Sequence, residues 1–120
     1  MKLFNLEQVK KSFGYAAKGF YQVFREEQNF RLQVLAGLII LILATYWRVR
    51  AIEAVILILV IVIVLVLELI NSVFERLVDT MKPRIHPYVR TIKDIMAAAV
   101  LISSVGAVII GALIFLPYMF

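Results

Sequence analysis

Ala54-Val-Ile-Leu-Ile-Leu-Val-Ile-Val-Ile-Val-Leu-Val-Leu67 is followed without a break by Glu68-Leu-Ile-Asn71-Ser72-Val-Phe-Glu75-Arg-Leu-Val-Asp79. Fourteen apolar residues run directly into a carboxylate, and acids recur beyond it at helical spacing. The run is continuous rather than alternating, so a helix accounts for it better than a half-buried strand. At about 100° per residue, Glu68, Glu75 and Asp79 fall within roughly 40° of one another, with Asn71 at the edge of the stripe. Three like charges on one face repel, so this face must meet cations. The chemistry of the chain is therefore expected where membrane meets water.

Outward from this stretch, the composition agrees. The chain has 120 residues, is 63% hydrophobic and has a mean hydropathy of +0.96, far too apolar for a soluble domain. A bilayer crossing needs about 20 mostly apolar residues, and three stretches approach or exceed that: 32–47, 51–71 and 95–117. Backbone polar groups in hydrocarbon are satisfied only in helices or closed barrels, and continuous apolar runs select helices. The expected fold is an all-α membrane protein, a single unit over residues 1–120. It has three transmembrane helices preceded by an N-terminal interfacial amphipathic helix at about 5–28. In that segment Leu6, Val9, Phe13, Phe20 and Val23 recur at helical intervals with Lys10, Lys11 and Lys18 between them. Small residues of the third span, among them Ala97 to Ala99, Gly106 and Gly111, predict close helix packing. Three short spans make few contacts alone, so a homo-oligomer is expected.

Charge sets the orientation. Residues 1–31 carry six basic side chains and residues 72–94 carry five, whereas the turn between the first two spans has only Arg48 and Arg50, and nothing beyond Asp94 is charged. The excess of Lys and Arg places the N-terminus and the second loop in the cytoplasm, and the first turn and the C-terminus outside. The charged first 31 residues lack the apolar core of a cleavable signal peptide. Basic residues flank spans and alternate with acids, so nucleic acid is not an expected partner. Met81-Lys82-Pro83-Arg84-Ile85-His86-Pro87 interrupts the helix after the acidic stripe, because two prolines four apart exclude a regular helix. The next helix is expected from Pro87 or Tyr88.

Much familiar chemistry is absent. There is no phosphate-cradling glycine loop, no cysteine, and a single histidine, His86, without a zinc-protease partner. What remains is a set of carboxylates and bases placed by the topology near one interface: Glu27, Glu68, Glu75, Asp79, Lys93 and Asp94. Hard cations such as Mg²⁺ take oxygen ligands, commonly one or two carboxylates with substrate phosphates and water. Phosphoryl transfer needs such an ion, a cation on the phosphates and a group that accepts the nucleophile's proton. Glu68 is the most deeply placed carboxylate and the best candidate base. A lipid alcohol holds its hydroxyl at headgroup depth and ATP arrives from the cytosol, so acids astride that boundary suit their joining. The competing reading is a small proton-coupled or multidrug transporter that uses Glu68. It expects a carboxylate near the midplane and a polar path across both leaflets, where this chain has Val, Ile and Leu.

The stretch from Glu68 through Asn71, Ser72 and Glu75 to Asp79 resembles the signature E-x-x-N-[ST]-x-x-E-x-x-x-D of the prokaryotic integral-membrane diacylglycerol kinases and undecaprenol kinases. His86 and Lys93-Asp94 match the following block, while Gly14-Tyr15, Lys18-Gly19 and Glu27-x-x-Phe30-Arg31 resemble the family's N-terminal helix. The resemblance implies a homotrimer in the prokaryotic inner membrane and an ATP- and Mg²⁺-dependent lipid kinase acting on undecaprenol or diacylglycerol. By matching position, Glu68 would be the catalytic base, and Glu27 and Glu75 would hold Mg²⁺. Tyr15, Asn71, Arg84, His86, Lys93 and Asp94 would surround the nucleotide, with Asp79 in a supporting role. Glu27-Gln28-Asn29-Phe30-Arg31 looks more like the undecaprenol-kinase branch. Two positions depart from the pattern: Gln8 stands where relatives often have a basic nucleotide contact, and Met96 where they usually have a small residue.

Overall fold

A computed structural model describes residues 3–81 and 87–120 as four helices: α1 Leu6–Glu26, α2 Gln28–Tyr46, α3 Ala51–Thr80 and α4 Pro87–Met119. The last three are long and apolar enough to cross a bilayer. The chain is all-helical among the described residues, as the uninterrupted apolar runs require. The interruption expected around Pro83 lies outside the described residues, though α4 does begin at Pro87. Proline is well placed there, since its missing N–H falls where a helix has no partner for it.

Helices outrun the apolar stretches at their polar ends, because intrahelical hydrogen bonding does not stop where lipid does. Thus α2 begins at Gln28, ahead of the apolar residues from Leu32, and α3 continues to Thr80, at about 1.5 Å per residue some 45 Å in all. Asn5 caps α1, its Oδ1 accepting from the N–H groups of Glu7 at 3.0 Å and Gln8 at 3.4 Å. The apolar residues of α1 at Leu6, Val9 and Phe13 are exposed.

The break between α1 and α2 is a single residue. Glu27 takes an extended conformation, φ −117° and ψ 116°, and serves as C-cap of one helix and N-cap of the next. Two devices hold this corner. Arg31 Nη1 donates to the carbonyls of Phe24 at 2.9 Å and Arg25 at 2.6 Å, satisfying acceptors that a helix end leaves open. Phe30, fully buried, sets its ring edge-on against Phe20, with centroids 5.1 Å apart.

At the other end, α2 turns into α3 through a left-handed residue. Arg48 has φ 50°, the Arg48 N–H donates to the Thr45 carbonyl at 3.3 Å, and the Val49 N–H donates to the Ala44 carbonyl at 3.2 Å. These bonds form a Schellman termination with arginine where glycine is usual. A small core closes over this turn: Ala44, Leu57, Ile114 and Phe115 are buried, and Trp47 lies 5.5 Å from Phe115. Glu53 Oε1 accepts from the Arg50 N–H at 3.1 Å and from the Tyr118 hydroxyl, tying the end of α4 to the start of α3. Midway, α2 and α3 approach closely at Gly37, where a Cβ would lie 3.0 Å from Ile61 Cγ2. Most of the helix packing is α3 against α4.

Candidate functional site

The polar end of α3 meets the α1–α2 corner, and there the chain buries polar groups. Glu68, Asn71 and Ser72 are buried, occupying one side of α3 in successive turns. The helical repeat explains the grouping, and this side of α3 is met by Gln33 of α2 at Glu68 and by Glu27 at Ser72. Two networks result.

In the first, Gln33 of α2 donates from Nε2 to Glu68 Oε2 at 3.5 Å. Asn71 Nδ2 donates to Glu75 Oε1 at 3.3 Å along α3. Gln33 Oε1 and Asn71 Oδ1 are buried acceptors with no hydrogen-bond partner among the described residues. Buried acceptors of this kind usually find a donor or a cation, so both oxygens are ready to receive one.

In the second, Ser72 Oγ donates to Glu27 Oε1 at 2.6 Å, and Arg76 Nη1 reaches the same oxygen at 3.3 Å. Arg76 Nη2 donates to Glu26 Oε2 at 2.6 Å. Among the described residues, both contacts on the Glu27 carboxylate fall on Oε1.

Of the expected site residues, the fold brings together Glu27, Glu68, Asn71 and Glu75. Lys93 lies further along: its Nζ is 3.6 Å from Asp79 Oδ1, and this α3–α4 ion pair is largely exposed. Asp94 is exposed on α4, and Tyr15 is exposed on α1, twelve residues or about 18 Å of helix ahead of Glu27. Arg84 and His86 lie outside the described residues. Along the acidic stripe Glu68 is buried and bonded to α2, whereas Asp79 is exposed and paired with Lys93 of α4. Gln33, Glu26 and Arg76 take part without having been picked out in advance. Gln33 had a signal, as a polar side chain at the start of an apolar run; Glu26 and Arg76 had none beyond ordinary surface charge.

Among the described residues, no three His, Cys, Asp or Glu side chains close around an ion. Mg²⁺ does not require such a cage, since it keeps waters and substrate oxygens. The carboxylates of Glu27 and Glu75 and the unpartnered Asn71 Oδ1 are oxygen donors of the kind hard cations prefer. Beside Glu68 an apolar groove of about 320 Å³ runs between the helices, lined by Gln33, Gly37, Ile61, Val64, Ser104 and Ala107 among others.

Known proteins resemble this chain over most of its length. The family described as prokaryotic diacylglycerol kinase matches residues 14–115. An undecaprenol kinase of Bacillus subtilis is 37% identical over 93% of this chain and 91% of its own length. A diacylglycerol kinase of Synechocystis is 35% identical over 88% of this chain and 61% of its own. The Escherichia coli K12 diacylglycerol kinase is 33% identical over 85% and 84%. With matches that span all four helices, the chain belongs to the prokaryotic diacylglycerol kinase family.

Proposed function

We propose that this protein is an ATP- and Mg²⁺-dependent kinase that transfers the γ-phosphoryl group of ATP to the hydroxyl of a membrane lipid, undecaprenol or diacylglycerol. Family membership makes it a phosphotransferase with an alcohol acceptor and an integral membrane protein. The observation that carries the finer reading is the position of Glu68, a buried carboxylate bonded to Gln33, which lines an apolar groove. An acyl or isoprenoid chain suits the groove, and its hydroxyl would then lie at the depth of Glu68. The transporter reading gains no support: Glu68 follows the apolar run of α3, which has no polar side chain from Ala54 to Leu67.

In this reading Glu68 accepts the proton as the lipid oxygen bonds to the γ-phosphorus, and the bond to the bridging oxygen breaks to release ADP. Glu27 and Glu75 would hold Mg²⁺, which offsets the negative charge on the phosphates. Tyr15, Asn71, Arg84, His86, Lys93 and Asp94 would surround the nucleotide. The exposed apolar residues of α1 would rest in the membrane interface, on the cytoplasmic side of the inner membrane, with the C-terminus outside. The subunit would assemble as a homotrimer through the small residues of α4.

The test is transfer of labelled phosphate from ATP to undecaprenol and to diacylglycerol in mixed micelles containing Mg²⁺. Labelled lipid from the wild type, and its loss in Glu68→Gln with the melting temperature retained, is the expected result. No phosphorylated lipid with any acceptor, alongside proton or drug flux in liposomes, overturns the reading.

A further inference from the structure

Arg76 stands between two consecutive carboxylates and holds them unequally. Its Nη2 donates to Glu26 Oε2 at 2.6 Å, and its Nη1 lies 3.3 Å from Glu27 Oε1. The same Nη1 contacts the Ser72 carbonyl at 3.2 Å and the Ser72 hydroxyl. Glu26 is half-exposed, whereas Glu27 is largely covered. Glu26 is also the last residue of α1. A carboxylate there faces the negative end of the helix dipole, so the helix gains nothing from it. The guanidinium supplies the compensation that the helix does not.

The consequence lies in what each group keeps when one bond is given up. If Glu27 leaves Arg76, the guanidinium retains Glu26 and the Ser72 carbonyl, and Glu27 retains the Ser72 hydroxyl. Arg76 then keeps a counter-charge in Glu26, while Glu27, bonded only to a hydroxyl, can take another cation. We propose that Arg76 is a positioning residue that acts through Glu27: an internal counter-cation that holds this carboxylate until a divalent cation binds, and that Glu26 keeps when Glu27 lets go. Glu26 sets the balance. This inference rests on the reading of Glu27 as a divalent-cation ligand.

Binding of Mn²⁺, a paramagnetic stand-in for Mg²⁺ at oxygen sites, to the detergent-solubilised full chain without ATP or lipid provides the test, read by electron paramagnetic resonance. Arg76→Met removes the competitor and tightens Mn²⁺ roughly two- to fivefold, the scale of a partly exposed ion pair. Glu26→Gln leaves Arg76 to Glu27 alone and weakens Mn²⁺ by a similar factor. In the Arg76→Met background, Glu26→Gln has no further effect. Melting temperatures establish that each variant is folded. Equal and additive effects in the double variant would mean a simple field effect, and movement of both single variants in one direction would mean a structural role; either overturns the proposal. Mn²⁺ binding lost in Glu27→Gln but unmoved by Arg76→Met overturns this inference alone. Undiminished binding by Glu27→Gln overturns the ligand reading beneath it.

Discussion

Gln33 and Glu68, on neighbouring helices and thirty-five positions apart in sequence, are joined by a hydrogen bond from Nε2 to Oε2 at 3.5 Å. Glu68 is buried, and Gln33 is the side chain that donates to it, while the amide oxygen of Gln33 is unpartnered among the described residues. The pair therefore presents one acceptor and one carboxylate side by side at the apolar groove.

Replacing Gln33 by Leu keeps the bulk and removes both amide functions. Lipid phosphorylation is expected to fall about tenfold to a hundredfold, the range over which a mispositioned proton acceptor costs rate. Melting temperature should change little, because the lost bond is long. Initial rates against lipid concentration check it, and unchanged kcat and KM would mean that Glu68 needs no help from Gln33.

Gly37 lies where α2 approaches α3, and a side chain there meets Ile61. Gly37→Leu overpacks this contact and is expected to destabilise the fold by about 1–3 kcal/mol. Adding Ile61→Ala should return part of that loss. Reversible unfolding in mixed detergent measures both, and a single variant as stable as the wild type would show that the helices have room to part.

Arg48 occupies a left-handed conformation at the α2 terminus. That conformation costs a side-chain-bearing residue about 1–2 kcal/mol. Glycine relieves it but loses about 0.5–1 kcal/mol in chain entropy. The strain outweighs the entropy, so Arg48→Gly should stabilise the protein slightly. A lower melting temperature would mean that the arginine side chain contributes more than its backbone costs.

Glu53 Oε1 accepts from three donors, the Arg50 N–H at the start of α3, the Arg50 Nε–H and the hydroxyl of Tyr118. Glu53→Ala should lower the melting temperature more than Tyr118→Phe, since the first removes a helix cap and a tertiary tie and the second only the tie. Equal losses would mean that the cap contributes nothing.

The helices were legible because hydrocarbon leaves the backbone little choice, and α3 in particular could be read past the apolar run to Asp79. Its stripe of acids was legible as an angle. That angle did not tell which part of the stripe would be covered: Glu68 is buried, whereas Asp79 is exposed and faces Lys93. The difference depends on the neighbouring helices: Gln33 of α2 meets Glu68, and Lys93 of α4 meets Asp79. Glu26 and Arg76 read as surface charges because each is ordinary on its own helix. Their meaning arises across fifty positions of sequence, where no local pattern operates.

By itself, the order of residues determined that the chain forms apolar helices and that its acids collect at one end of them. Those outcomes follow from backbone hydrogen bonding, hydropathy and a fixed helical repeat, all of which act within a few residues. Only the tertiary structure decided which carboxylate is buried, which cation each one meets, and which buried oxygens are left waiting for a partner. A helix dictates the direction of its own side chains; what lies opposite them depends on how neighbouring helices are set against it.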